Sequence, residues 1–253
     1  MAFINTVPSK DQLAPNLWVT FEMGDTDAKR ILFVGNSITR HGAAPWIGWN
    51  NDWGMAASAK EKDYVHLTAS ALKKRWGACD FCITQAADWE RNYTDPELLE
   101  KQFSAARDFC ADVVVLRLGE NVIRETFDYD AFVNAYCDMA HFFASKNGAQ
   151  IIVTDLVWSH PDIDRAIREA AGRLGVGYIP FGDLGERDEM SAKGLFEHSG
   201  VAGHPGDRGM KEISDRILVL CGGRVTGIVD GRTATKDEIG LLMTKGQKEE
   251  SHV

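Results

Sequence analysis

Ile31-Leu32-Phe33-Val34-Gly35-Asn36-Ser37-Ile38-Thr39 opens the part of the chain that decides its fold. Four apolar residues in a row end at a glycine, the pattern of a strand buried on both faces of a parallel sheet. Lys60 to Lys74 follows, with Tyr64, Leu67, Ala71 and Leu72 at helical spacing. Phe81-Cys82-Ile83 reads as a second strand. Asp95-Pro96 opens a helix with proline at its first position and Leu99, Phe103 and Ala106 along one face. Val113-Val114-Val115-Leu116 is the clearest strand. Tyr129 to Ser145 reads as a helix, Ile151-Ile152-Val153 as a strand, and Ile163 to Leu174 as a helix closed by Gly175. Tyr178-Ile179-Pro180-Phe181 fits a sheet edge or a strand end, because its proline has no N–H to give to a ladder. Gly209 to Leu218 reads as the last helix of this core. The alternation predicts an α/β class fold, a parallel sheet with helices on both faces.

The flanks differ. Residues 1 to 29 read as an arm in which Leu17-Trp18-Val19-Thr20-Phe21 has strand character. After Asp215, two apolar runs around Gly222-Gly223 predict a β-hairpin, then a short amphipathic piece and a charged tail. The expected organisation is therefore an arm (1–29), a catalytic-type domain (30–218) and an extension (219–253). An exposed hairpin offers an edge to a second copy, so a homo-oligomer through the extension is an expectation.

Composition sets further bounds. The chain has 253 residues, 44% of them hydrophobic, enough for one sizeable core. Its net charge of −9 argues against a general nucleic-acid or anionic-membrane partner, which would need clustered Lys and Arg. No apolar run is long enough to span a bilayer, and Met1-Ala2-Phe3-Ile4-Asn5 lacks the pattern of a signal peptide, so a cytoplasmic location is expected. The five cysteines (Cys79, Cys82, Cys110, Cys137, Cys221) are odd in number and irregular in spacing, which suits reduced thiols. Cys79 and Cys82 form a lone CxxC without a second pair, so no metal and no cofactor is expected.

Three short stretches carry candidate chemistry. Ser37 follows the first strand, near an expected helix N-terminus, at the sheet edge where open α/β folds place ligands. Gly119-Glu120-Asn121 follows the third strand, and an asparagine carboxamide there can donate to an oxyanion. His204-Pro205-Gly206 lies in a rigid turn before the last core helix, and imidazole is the usual base for activating a serine hydroxyl. In a sheet ordered 2-1-3-4-5, the first and third strands are neighbours, which would bring Ser37 and Asn121 together. Taken singly, each stretch also has a plain reading: a helix cap, a turn asparagine and a surface histidine.

In this order, Gly35-Asn36-Ser37, Gly119-Glu120-Asn121 and His204-Pro205 resemble the conserved blocks of the SGNH (GDSL-like) hydrolase superfamily, across about residues 30 to 218. The resemblance implies a flavodoxin-like three-layer α/β/α sandwich and a serine esterase, with Ser37 as nucleophile, His204 as base and Asn121 in the oxyanion hole. Two positions depart from the pattern. Val201 stands where the family has the aspartate three residues before the histidine, leaving a nearby backbone carbonyl as the preferred orienter of His204, ahead of Glu197 and Asp207. The stretch Thr84 to Trp89 lacks the expected oxyanion glycine, and the N–H of Ala87 is the substitute, beside that of Ser37. The segment from about Asp215 to Lys245 resembles the closing part of sugar-transporter ATPase subunits. No Gly-x-x-x-x-Gly-Lys-Ser/Thr loop accompanies it, so ATP hydrolysis is not expected.

Trp46, Trp49, Trp53 and Trp89 lie close in sequence to these blocks. They read either as a wall for a sugar or acyl group or as plugs that seat loops on the core. Arg40 and His41 read as solvated loop residues, and Asp155 as a local cap. The resulting expectation is a carboxylic ester hydrolase that forms an acyl-enzyme on short acyl esters, with acetyl on a carbohydrate as the favoured substrate. The rival is a noncatalytic carbohydrate-binding protein on the same fold.

Overall fold

The computed structural model describes residues 18–23, 28–221 and 224–230, with backbone alone from 216 onward. The arm before residue 18, the amphipathic piece and the charged tail lie outside the described residues.

Six strands form one sheet. They are β1 (Val19–Glu22), β2 (Lys29–Gly35), β3 (Cys79–Gln85), β4 (Val113–Arg117), β5 (Gln150–Thr154) and β6 (Gly177–Ile179). Their order is β1-β3-β2-β4-β5-β6. The five strands from β2 onward are parallel and repeat the expected 2-1-3-4-5 order; β1 adds an antiparallel edge beside β3.

The period-two alternation of the strands divides the core between two layers. Leu32, Val34, Cys82, Val114, Leu116 and Val153 face one layer. It is built from α3 (Leu98–Asp108), α4 (Tyr129–Phe143) and α5 (Pro161–Leu174). Ile31, Phe33, Phe81, Ile83, Val115 and Ile152 face the other, covered by α1 (Tyr64–Trp76) and α7 (Asp207–Ser214). Two short helices, α2 (Ala87–Arg91) and α6 (Ser199–Ala202), were not legible as helices in the sequence. The result is the three-layer α/β/α sandwich.

Several boundaries move. The helix expected from Asp95-Pro96 starts at Leu98, with Glu97 as its N-cap. The last helix ends at Ser214, and Arg216–Cys221 is a strand, β7, rather than its final turn. β7 pairs antiparallel with β8 (Arg224–Asp230) as a separate two-stranded sheet, so the hairpin begins earlier than expected. Among the described residues, no helix is long and apolar enough to cross a membrane.

Two of the four tryptophans singled out are core residues. Trp89 is buried among Tyr93, Phe132 and Tyr136, with ring centroids 5.9–6.4 Å apart. Trp49 is fully buried, its indole N–H donating to the His41 carbonyl at 2.9 Å. Trp53 is half-buried, edge-on to Trp49, and donates to the Ala57 carbonyl. Trp46 alone is exposed. The plug reading therefore replaces the ligand-wall reading for Trp49 and Trp89: a flat indole this well enclosed has no face left for a substrate. Trp89→Ala is expected to cost about 3–5 kcal/mol, as for large aromatic truncations in cores. Trp46→Ala should stay within about 0.5 kcal/mol. Urea unfolding of both variants checks this, and equal losses would contradict it.

Candidate active site

Strand register brings three loops to one level of the sheet edge. Gly35 pairs with Gln85 on one side and with Arg117 on the other. The residues that follow each strand, Asn36-Ser37, Ala86-Ala87 and Leu118 to Asn121, therefore emerge side by side.

The first loop folds back at once. The N–H groups of Thr39 and Arg40 both donate to the Asn36 carbonyl, at 2.9 and 3.0 Å. A Cβ on Gly35 would lie 1.8 Å from Thr39 Oγ1, so only glycine allows this turn to close on the strand end. The next α-helix, α1, begins only at Tyr64, so Ser37 stands on a turn and not at a helix N-terminus as expected. The Ser37 N–H takes no part in the bonds that close the turn.

His204 reaches the same turn from the far end of the chain. Its Nε2 lies 2.7 Å from Ser37 Oγ, and its Nδ1 2.6 Å from the Gly200 carbonyl. A carbonyl only accepts, so the proton sits on Nδ1 and the Nε2 lone pair faces the serine hydroxyl. Gly200 lies in α6, which is held by His198: its Nδ1 accepts from the Val201 N–H at 3.3 Å. The Val201 side chain is buried in an apolar cluster with Ala44, Ile47 and Trp49. This accounts for the missing carboxylate, since an aspartate in that position would face an apolar pocket. Of the other two candidate orienters, Asp207 binds Ser58 and Lys62 instead, and Glu197 is exposed. Burial of the ring, opposed only in part by the Gly200 carbonyl, pushes the His204 pKa down to about 4.

Beneath Ser37 lies a polar network that sequence reasoning missed. Arg117, at the end of β4, is fully buried. Its Nη1 donates to Glu120 Oε1 at 2.6 Å, and its Nη2 to Asn36 Oδ1. Asn36 Nδ2 donates to Glu120 Oε2 at 2.6 Å and to Glu90 Oε1 at 2.9 Å. Glu90, on α2 and fully buried, also accepts from the Gly119 N–H and from Asn121 Nδ2. Burial and the Glu120 charge push the Glu90 carboxyl above its usual range. Burial works against the Arg117 charge, yet Glu120 beside it holds the guanidinium above its ordinary value. The network joins one cation to two carboxyl groups across all three loops. It also gives a reason for asparagine in the Gly-Asn-Ser turn: its amide donates to both glutamates, where an aspartate would add a third negative group.

The remaining sequence-derived residues are placed less simply. The Asn121 carboxamide is fixed by Glu90 at Nδ2 and by Arg91, which donates to Oδ1 at 3.2 Å. One Nδ2 hydrogen stays outside those bonds. Ala87 requires correction as an oxyanion donor. It begins α2, and its N–H donates to Gln85 Oε1 at 3.0 Å, so the hydrogen is already committed to a side-chain cap. Arg40 and His41 are buried rather than solvated, with Arg40 paired to Asp52 at 2.6 Å. Asp155 caps locally, accepting from the Phe181 N–H at 2.6 Å. The aromatic ring that does stand beside the pair is Trp158, edge-on to His204 with centroids 5.4 Å apart. Its signal was available, since it follows β5 at the same sheet edge. Among the described residues, no group of three His, Cys, Asp or Glu side chains is arranged to hold a metal.

Comparison with known proteins agrees on the fold. No protein-family model matches the chain, and no curated protein matches its sequence. Among solved structures it is similar to the salicylyl-acyltransferase SsfX3 of a tetracycline biosynthetic pathway, with TM-score 0.53 and 19% identity over 75% of this chain and 53% of that one. The chain thus spans about half the length of that acyltransferase. It is also similar to a carbohydrate esterase described as having divergent catalytic and non-catalytic binding functions, with TM-score 0.51 and 16% identity over 88% of this chain and 69% of that one. A GDSL-like lipase structure from Bacteroides ovatus matches with TM-score 0.48 and 13% identity, over 75% of this chain and 95% of that one. The likeness to the acyltransferase and the carbohydrate esterase is one of fold, the three-layer α/β/α sandwich.

Asn36→Asp tests the network without changing its shape. It replaces an amide that donates twice by a carboxylate between two carboxyl groups, and at pH 7 is expected to cost about 3 kcal/mol. The loss should shrink as pH falls toward 4, because protonation removes the added charge. Denaturant titrations at the two pH values measure it, and a pH-independent stability equal to the parent would contradict the network.

Proposed function

We propose that this protein is a serine carboxylic ester hydrolase that works through an acyl-enzyme on short acyl esters, with acetyl groups on carbohydrate as the favoured substrates. The observation that carries this is the 2.7 Å contact between Ser37 Oγ and His204 Nε2, with Nδ1 anchored on the Gly200 carbonyl. It supplies a nucleophile, a base and an orienter in one line.

In this reading, Ser37 Oγ attacks the ester carbonyl carbon while its proton passes to His204 Nε2. The Ser37 N–H and the free Nδ2 hydrogen of Asn121 stabilise the oxyanion, with the carboxamide held by Glu90 and Arg91. The imidazolium returns its proton to the leaving alkoxide, and the alcohol departs. His204 then takes a proton from water, whose oxygen attacks the acyl-enzyme; the acyl–Oγ bond breaks, the imidazolium returns the proton to Ser37 Oγ, and the acid is released. A carbonyl orienter fixes the tautomer but gives the imidazolium less stabilisation than a carboxylate would. Proton transfer is therefore helped mainly by the negative charge that develops on the oxyanion. The resemblance to a carbohydrate esterase supports the sugar-ester choice.

The second reading is carbohydrate binding without turnover. It is favoured by the low basicity of His204 and the valine at the aspartate position. Hydrolysis of p-nitrophenyl acetate separates the two. Ser37→Ala is expected to lose at least about a thousandfold in kcat, as does loss of a triad nucleophile elsewhere. Equal rates in parent and variant would remove the esterase mechanism.

The pH profile gives a second check. Catalysis needs neutral His204, and a depressed pKa keeps it neutral until the pH falls well below the ordinary histidine range. The acid limb of kcat/KM is expected near pH 4, provided the fold persists there by circular dichroism. A limb near 6.5 would contradict the burial of the ring. Restoring the familiar spacing should not help: Val201→Asp buries a charge in an apolar cluster, and its expected result is lower stability with no gain in kcat.

A further inference from the structure

A cavity of about 200 Å³ opens between the loop after β4 and the start of α5. That volume has room for one substituted ring. It shares Trp158 with the Ser37–His204 pair: the indole lines the cavity and also stands edge-on to His204. Gly119 and Glu120 form its other side, in the same loop as Asn121. The cavity thus adjoins the reacting groups without containing them.

Its chemistry is mixed. Leu156, Ile163 and the Trp158 face are apolar walls. Arg124, a solvent-exposed residue at the cavity rim, brings a guanidinium with no ion pair or side-chain hydrogen bond among the described residues. His160 contributes Nδ1, which is shielded from solvent and has no partner. Two carboxylates lie close by, and both are already satisfied. Glu120 is bound by Arg117, Asn36 and the Val157 N–H. Asp164 accepts from the N–H groups of Leu156 and His160 and from Ser159 Oγ. Both anions are spent inside the protein, while the cation and the imidazole nitrogen are not. A ligand that completes the site has a flat ring for Trp158 and an anionic oxygen group for Arg124 and His160.

We propose that this cavity is a binding subsite for a ring bearing a carboxylate, the part of the ester remote from the bond that is cleaved. The ring is either a uronic acid or an aromatic acid. The recognition is independent of turnover; only the statement that this ring belongs to the ester rests on the esterase reading.

The test is calorimetric titration of the full-length Ser37→Ala protein with four probes: glucuronate, glucose, benzoate and benzyl alcohol. Within at least one acid–neutral pair, the acid is expected to bind about tenfold more tightly, and that preference should vanish in Ser37→Ala/Arg124→Gln. A glucuronate preference assigns a uronic acid, and a benzoate preference an aromatic acid. Equal binding of acid and neutral probes, no binding of any probe, or a preference that survives Arg124→Gln would overturn the subsite. A p-nitrophenyl acetate rate insensitive to Ser37→Ala would defeat the esterase mechanism alone and leave the binding result standing.

Discussion

A single buried guanidinium holds the candidate site together. Arg117 leaves the end of β4 inside the protein, where an unpaired charge would cost several kcal/mol. Its two terminal nitrogens are paired by Asn36 from the loop after β2 and by Glu120 from the loop after its own strand, while its Nε has no hydrogen-bond partner. Glu90, from the helix after β3, closes the set through Asn36, Gly119 and Asn121. Three loops that parallel pairing delivers to one sheet edge are thereby locked to one another. The serine turn cannot shift without leaving a buried polar group unpaired, and such groups are expensive. The network sits where a nucleophile needs positioning, although none of its charges touches the Ser37–His204 contact.

The imidazole side is built differently. α6 is only one turn long and sits against an apolar cluster that includes Val201. Its capping histidine, His198, and the Gly200 carbonyl define where the His204 ring lies and which nitrogen carries the proton. The design exchanges electrostatic help for packing. A neutral carbonyl orients the ring, and burial makes it a weaker base than a carboxylate-paired histidine. In the proposed esterase, a dyad of this kind would depend more heavily on stabilisation of the oxyanion, which would place weight on the Ser37 N–H and on the restraint of Asn121 by Glu90.

Much of the architecture was legible in the sequence, because the parallel strands are buried on both faces and so appear as unbroken apolar runs. The order of those strands came with the flavodoxin-like fold that the motif resemblance implied, while β1 was too short and too far from its partner in sequence to be placed. The helix expected through Leu218 failed for a plain reason. Ile217 to Leu220 is an apolar run that fits a strand as well as a helix, and only pairing with β8 decides between them. The meeting of Ser37 and His204 was legible through the order of their motifs. Arg117, Glu90 and Glu120 were not, because a charged residue at a strand end reads as surface unless its partners are known. Trp49 and Trp89 misled for the converse reason: closeness to a motif in sequence does not say which way a ring points.

The central claim is that Ser37 is a nucleophile activated by His204. Labelling the full-length protein with a fluorophosphonate and mapping the adduct by mass spectrometry tests it most directly. The account predicts a single phosphonylated residue, Ser37, with labelling slowed strongly in His204→Ala while the fold is kept. Failure to label, labelling of another residue, or labelling at the same rate without the imidazole would contradict it.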